Sequence, residues 1–225
     1  MAGEVLVAGG TGALGVAVVN ELVATGHSVG ATWILEKERE RLEDVEGVEL
    51  IKADLFDPDQ AAEAVATISD VGAVVNLVGG YSESGRVHET DPEEFDRLMR
   101  LNLRPNILLA HAVIPRFLRR GGGAFVAVSA RPALRPFPGA PAYIVSKAAV
   151  LSFVQTLDAE YRQDDIRANA VLPSVIDTPA NRASQPDADY SKWVTPQAIA
   201  QVIRFLVDDE SSAITGAAVP VYGKA

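Results

Sequence analysis

The sequence predicts an α/β protein: one doubly wound domain spanning residues 1–225, with a mostly parallel seven-stranded sheet flanked by helices. Three features carry this prediction. Short apolar runs of strand length alternate with stretches of helical periodicity from end to end, the pattern that parallel βαβ units produce. The first run, Val5-Leu6-Val7-Ala8, passes directly into the glycine-rich turn Gly9-Gly10-Thr11-Gly12-Ala13-Leu14-Gly15. Finally, 225 residues with 48% hydrophobic content suffice for one sizeable core, and no repeat or linker divides the chain.

Glycines 9, 12 and 15 allow a tight turn, backbone approach to a pyrophosphate and close packing of helix on strand. An amphipathic helix follows (Ala17, Val18, Leu22, Val23), and this order of strand, turn and helix marks a Rossmann-type dinucleotide site. Ser28 to Trp33 reads as the second strand. Its last residue ordinarily decides between an acidic partner for ribose hydroxyls and a basic partner for a 2′-phosphate. Trp33 is neither. Lys37 and Arg39 could reach a phosphate but alternate with Glu36, Glu38 and Glu40, so NAD and NADP are both compatible with the sequence.

Val48 to Lys52 supplies a third strand, ending near Asp54, either an acceptor for an adenine amino group or a turn residue. Asp57-Pro58 opens a helix through Ile68. Gly72 to Leu77 is the fourth strand, running into Asn76-Leu77-Val78-Gly79-Gly80, whose small residues let backbone lie against a flat ring. Tyr81 to Thr90 is a polar loop long enough to overhang a site. Asp91-Pro92 starts a helix carrying Phe95, Leu98, Met99, Asn102, Leu103 and Ile107 at helical spacing. Asn102, polar on that apolar face, is expected to hold a water or correct a kink near Pro105.

Gly121-Gly122-Gly123 makes a turn into a fifth strand, Ala124 to Ser129. Residues 131–141 contain prolines at 132, 136, 138 and 141 and are expected to be non-helical. The next helix bears Tyr143 and Lys147 and runs to about Tyr161. Arg167 to Leu172 is a sixth strand, leading to Pro173, Thr178 and a mobile substrate lid around 179–195. Thr195-Pro196 caps a last helix, and Ile214 to Val221 closes the sheet.

Tyr143 and Lys147, four positions apart, share one helical face. A phenol titrates near pH ~10, and a cation one turn away favours its ionised form, which makes the pair a proton-transfer device. Other chemistries are poorly supported. Zero cysteines exclude thiolate ligands and nucleophiles, and His27, His88 and His111 lack metal-ligand spacing, so no metal is expected. A formal net charge of −10 opposes nucleic acid. No apolar run reaches a membrane span, and Met1-Ala2-Gly3-Glu4 leads into the first strand without a signal sequence, so a cytoplasmic protein with a small-molecule substrate is expected.

Gly9-x-x-Gly12-x-x-Gly15, Asp54, Asn76-x-x-Gly79, Asn102, Tyr143-x-x-x-Lys147, Pro173 and Thr178 fall in the order found in the short-chain dehydrogenase/reductase family, which the chain resembles over essentially its whole length. The resemblance implies an NAD(P)H-dependent oxidoreductase of a carbonyl or quinonoid substrate, with Tyr143 as acid/base, Lys147 orienting the nicotinamide ribose and Asn102 holding a relay water. It implies cofactor contacts at Gly9, Thr11, Gly12, Ala13, Leu14, Trp33, Asp54, Leu55, Asn76, Val78, Gly79, Tyr143, Lys147, Pro173, Val175, Ile176 and Thr178. The substrate side falls to Ser129, Ala130, Tyr81 and Trp193.

Two positions depart from the family pattern. Ala13 stands where a further glycine is common, and Ala130 occupies the place of the active-site serine. Ser129 is adjacent, but neighbouring strand residues face opposite ways, so it substitutes only through a bulge. In lacking that serine, in Gly79-Gly80-Tyr81 and in the 170–193 segment the chain is similar to the dihydropteridine reductase branch. A non-catalytic NAD(P)-sensing protein is the alternative. The resemblance also implies a homodimer or homotetramer through helices around 91–120 and 142–161, with Phe95, Leu103, Phe153 and Leu157 contributing.

Overall fold

A computed structural model describes residues 3–224. Of the segment Met1-Ala2-Gly3-Glu4, Met1 and Ala2 lie outside the described residues. The strands β1 (Glu4–Ala8), β2 (Val29–Trp33), β3 (Val48–Lys52), β4 (Val71–Asn76), β5 (Gly123–Val128), β6 (Ile166–Pro173) and β7 (Ala218–Val221) form one sheet in the order β3-β2-β1-β4-β5-β6-β7. Every pairing is parallel. The order reverses between β1 and β4, which is where a doubly wound sheet opens a ligand crevice at its carboxyl edge.

Strand alternation feeds two cores. Leu6, Val74, Phe125 and Ala127 face one side, packed with Val113 and Phe117 of α5 (Arg104–Arg120) and Val150 and Val154 of α6 (Pro141–Tyr161). Val5, Val7, Val75 and Val126 face the other, against Val18 and Leu22 of α1 (Ala13–Ala24) and Ile199 and Ile203 of α8 (Pro196–Val207). Burial on both faces explains why these strands read as continuous apolar runs.

The remaining helices are α2 (Glu36–Arg39), α3 (Pro58–Thr67), α4 (Pro92–Asn102) and α7 (Pro179–Ser184). Asp57, Asp91, Thr178 and Thr195 each cap a helix through a side-chain oxygen, with proline in the first turn, where no N–H is required. Three expectations need correction. The helix begun at Asp91 breaks at Leu103 into α4 and α5, with Pro105 in the first turn of the second piece. Residues 131–141 are not wholly irregular: Arg131–Ala133 is a 3₁₀ turn and Pro141 is the first residue of α6. The last strand starts at Ala218 rather than Ile214, because Gly216 adopts φ +68° and Asn169 bonds both Ile214 O and Ala217 N.

The 179–195 segment carries structure of its own. Ile176 bridges Val194, and Asp177 N donates to Val194 O at 2.8 Å, closing the base of the excursion. Within it Arg182 forks onto Asp177 at 2.5 and 2.7 Å and lies 4.8 Å from the Tyr190 ring, which packs on Trp193 at 4.7 Å. Leu157 belongs to the chain's own core at 5% exposure and offers no surface to a second copy. The exposed apolar side chains on those helices are Ile107, Leu118 and Val145. Among the described residues no helix is long and apolar enough to cross a membrane.

Candidate active site

The glycine turn is built to leave backbone N–H groups facing outward. Gly9 takes φ +75°, Gly12 N closes onto Gly9 O at 3.1 Å, and Gly9 N donates to Thr32 Oγ1 at 2.9 Å, fixing the turn to β2. A methyl on Gly15 would sit 2.3 Å from Gly9 O, so only glycine permits this packing of α1. The α1 N-terminus has no side-chain cap and no acidic residue in its first turn. A diphosphate fits there, supplied with helix-end donors at Ala13 and Leu14 and no competing anion.

Arg41 Nη1 donates to Thr11 O at 2.8 Å and lies 3.5 Å from Glu38 Oε1, which sets a guanidinium on the rim of this turn. The sequence offers Lys37 and Arg39 as cations that could reach a phosphate and leaves the choice of nucleotide open. Arg39 is held by Glu36 and Glu43 at 3.2 Å each, and with Lys52 flanks the Trp33 ring at 5.9 and 5.2 Å. No single-strand pattern marks Arg41, since its partner lies 30 residues earlier. Asp54 serves its own turn, accepting from Phe56 N at 2.9 Å through Oδ1, beside buried Leu55.

Beyond β4, Asn76 Oδ1 accepts from Val78 N at 3.1 Å, while its buried Nδ2 has no partner among the described residues. Gly79 is exposed, and a Cβ there would meet Asn102 Oδ1 at 2.6 Å and Lys147 Nζ at 3.0 Å. This glycine therefore lies directly over the two predicted functional side chains. Asn102 does not hold a free amide for water. Its Oδ1 accepts from Gly80 N at 2.8 Å and its Nδ2 donates to Gly80 O at 3.1 Å and Ser146 Oγ at 2.8 Å. Its backbone carbonyl, freed where α4 ends, accepts from Asn106 Nδ2 at 2.8 Å. Asn102 is thus a latch tying the 79–81 loop to α6.

Tyr143 and Lys147 occupy one face of α6, as their spacing predicts. Lys147, 6% exposed, donates from Nζ to Val128 O at 3.0 Å, and burial holds its pKa down to about 8. Tyr143 is pushed up to about 12, chiefly by burial and then by the neighbouring Tyr81 phenol. The expected acidification of the phenol by its lysine does not appear: burial raises the Tyr143 pKa, and the ammonium points instead to the strand carbonyl. Tyr81, 55% exposed, packs edge-on against Tyr143 with centroids 4.9 Å apart at 79°. Burial and then Glu83, which also hydrogen-bonds it, raise the Tyr81 pKa.

Ala130 stands at the carboxyl end of β5, buried and apolar. Ser129 is not substrate-facing: no bulge interrupts β5, and its 1%-exposed hydroxyl donates to Lys147 O at 2.7 Å. Pro173, Val175 and Ile176 line the carboxyl end of β6, whereas the Thr178 hydroxyl is taken by Asn181 N at 3.2 Å. Trp193 is half-buried against Tyr190.

Comparison with known proteins bears on this arrangement. The family described as enoyl-(acyl carrier protein) reductase matches residues 9–223. The 2-(R)-hydroxypropyl-CoM dehydrogenase of Xanthobacter autotrophicus is 32% identical, over 97% of this chain and 96% of its own. The 4-formylbenzenesulfonate dehydrogenase of Comamonas testosteroni is 30% identical over 71% and 69% respectively. A short-chain type dehydrogenase/reductase from Mycobacterium ulcerans superposes with TM-score 0.92 at 25% identity, over 99% of this chain and 89% of that one. The chain belongs to the short-chain dehydrogenase/reductase family and is an NAD(P)-dependent oxidoreductase.

Proposed function

We propose that the protein reduces a carbonyl or quinonoid substrate, with Tyr143 as the proton donor. The observation that carries this is the convergence of Tyr143, Lys147 and Gly79 at the carboxyl edge of the sheet, next to a glycine turn shaped for a diphosphate. Bound NAD(P)H would supply a hydride to the substrate carbon. The carbonyl π pair moves to oxygen, which takes the proton from the Tyr143 hydroxyl, leaving an alcohol. Tyr143 is protonated at neutral pH and so carries the proton to be given, although burial makes it a weaker acid than a free phenol. Lys147 stabilises the phenolate that remains, and Asn102 acts as a positioning residue through Gly80.

Ala130 favours a second, narrower reading, a dihydropteridine reductase-like substrate. Its methyl supplies no hydrogen bond to a developing oxyanion, a donor worth ~2–4 kcal/mol where charge builds up. A quinonoid ring regains a stable conjugated system on reduction and needs that donor less. The two named relatives act on a hydroxypropyl and a formyl compound, which supports the carbonyl/alcohol reading more broadly. Following NADPH and NADH oxidation with an aromatic aldehyde, a quinone, a 3-oxoacyl thioester and a quinonoid dihydropterin tests both. Turnover of none of them would refute the reductase assignment.

For the cofactor, Arg41 favours a 2′-phosphate, since β2 ends without a carboxylate and Arg41 is the cation bonded to the turn. Arg41→Ala should weaken NADPH binding by ~1–2 kcal/mol, about tenfold, and leave NADH unchanged, as read by nucleotide fluorescence titration. Equal losses for both nucleotides would disprove the role. We place the protein in the cytoplasm as a homodimer or homotetramer associating through α4, α5 and α6.

A further inference from the structure

The rim of the site carries one cation that the reaction just described does not use. Arg131 follows Ala130 directly and opens the 3₁₀ turn after β5, at the carboxyl edge of the sheet where the crevice lies. That turn packs on α6, the helix of Tyr143. The Arg131 guanidinium lies 5.2 Å from the centroid of Tyr222, just past the end of β7. Tyr222 packs against the core on the α6 side of the sheet, and Ser174 Oγ fixes its carbonyl at 2.7 Å. Arg131 is therefore held over the ends of β5, β6 and β7 on Tyr143's side.

What sets Arg131 apart is the missing counter-charge. The other arginines anchored by tertiary contacts are matched: Arg182 by Asp177, Arg162 by Asp158, Arg204 by Asp208 and Glu210, Arg116 and Arg167 by rows of backbone carbonyls. Arg131 is half-buried and, among the described residues, has no carboxylate or carbonyl partner, in a chain of net charge −10. Aromatic stacking orients a guanidinium without neutralising it, so its donors stay available for an anion. Glu83, the carboxylate beside Tyr143's neighbour Tyr81, is tied to the Tyr81 hydroxyl.

We propose that Arg131 is a specificity-determining residue that binds an anionic group, carboxylate or sulfonate, on the substrate. The substrate class is then a carbonyl compound with its acidic group remote from the reacting carbon, the carbonyl at Tyr143 and the anion at Arg131. This rests on the reductase reading, but its test does not require turnover. Binding of 4-formylbenzoate and of its neutral methyl ester to the NADP⁺-saturated protein is measured by calorimetry, for the wild type and for Arg131→Gln and Arg131→Lys.

The wild type should bind the acid at least about tenfold more tightly than the ester, as a charge-assisted contact implies. Arg131→Gln should lose that preference with ester and NADP⁺ affinity unchanged, and Arg131→Lys should restore part of it. Equal binding of acid and ester by the wild type, no binding of the acid, or an unaltered preference in Arg131→Gln would each overturn the proposal. Absence of NADPH oxidation despite the predicted binding would count against the reductase reading alone.

Discussion

Tyr143→Phe should lower the rate of carbonyl reduction by about a thousandfold, the scale of a lost general acid, with NADPH affinity unchanged. The substitution removes one oxygen and keeps the ring, so the edge-on contact with Tyr81 at 4.9 Å survives and the fold is spared. It also removes the one phenol that burial holds protonated up to about 12 on the face shared with Lys147. Tyr81 does not stand in for it, because its hydroxyl is bound to Glu83. Single-turnover measurement with saturating NADPH separates chemistry from binding. A variant that keeps wild-type turnover would reassign the proton donor.

The architecture was legible because its signals are local. Strand-length apolar runs, the glycines at 9, 12 and 15, and the four-residue step from Tyr143 to Lys147 each report on a few adjacent positions. What stayed hidden depends on residues far apart in sequence. Asn102 looked like a water holder until Gly80, 22 residues away, took both sides of its amide. Ser129 was placed beside substrate, yet its hydroxyl turns inward to a carbonyl 18 residues on. Nothing in a charge-alternating helix start says that Arg41, rather than Lys37 or Arg39, is the side chain that curls back to the turn. Spacing also misled on the sign of the Tyr143 shift. It fixes the distance between phenol and ammonium along a helix but says nothing of how much water both have lost.

That loss of water makes Lys147→Met the most revealing substitution for stability. Holding the ammonium at about 8 rather than its ordinary 10.5 means that below pH 8 the fold carries a buried charge it disfavours by about 3 kcal/mol. Between those values the unfolded chain binds a proton that the folded chain does not, so wild-type stability rises with pH across the window from about 8 to 10.5. Methionine fills similar space without charge but leaves Val128 O without its donor, a loss of about 1 kcal/mol. The cofactor-free variant should therefore be more stable than the wild type by about 2 kcal/mol at pH 7, an advantage that disappears by about pH 10.5. Its turnover should nonetheless fall at least a hundredfold, because the cation beside the nascent phenolate is gone. By the same titration, wild-type kcat/KM for reduction should decline as pH rises through about 8. Urea melts at pH 7 and pH 10 decide the matter: a variant destabilised at both would show Lys147 to be a net structural support, and its burial would no longer argue for a functional cation.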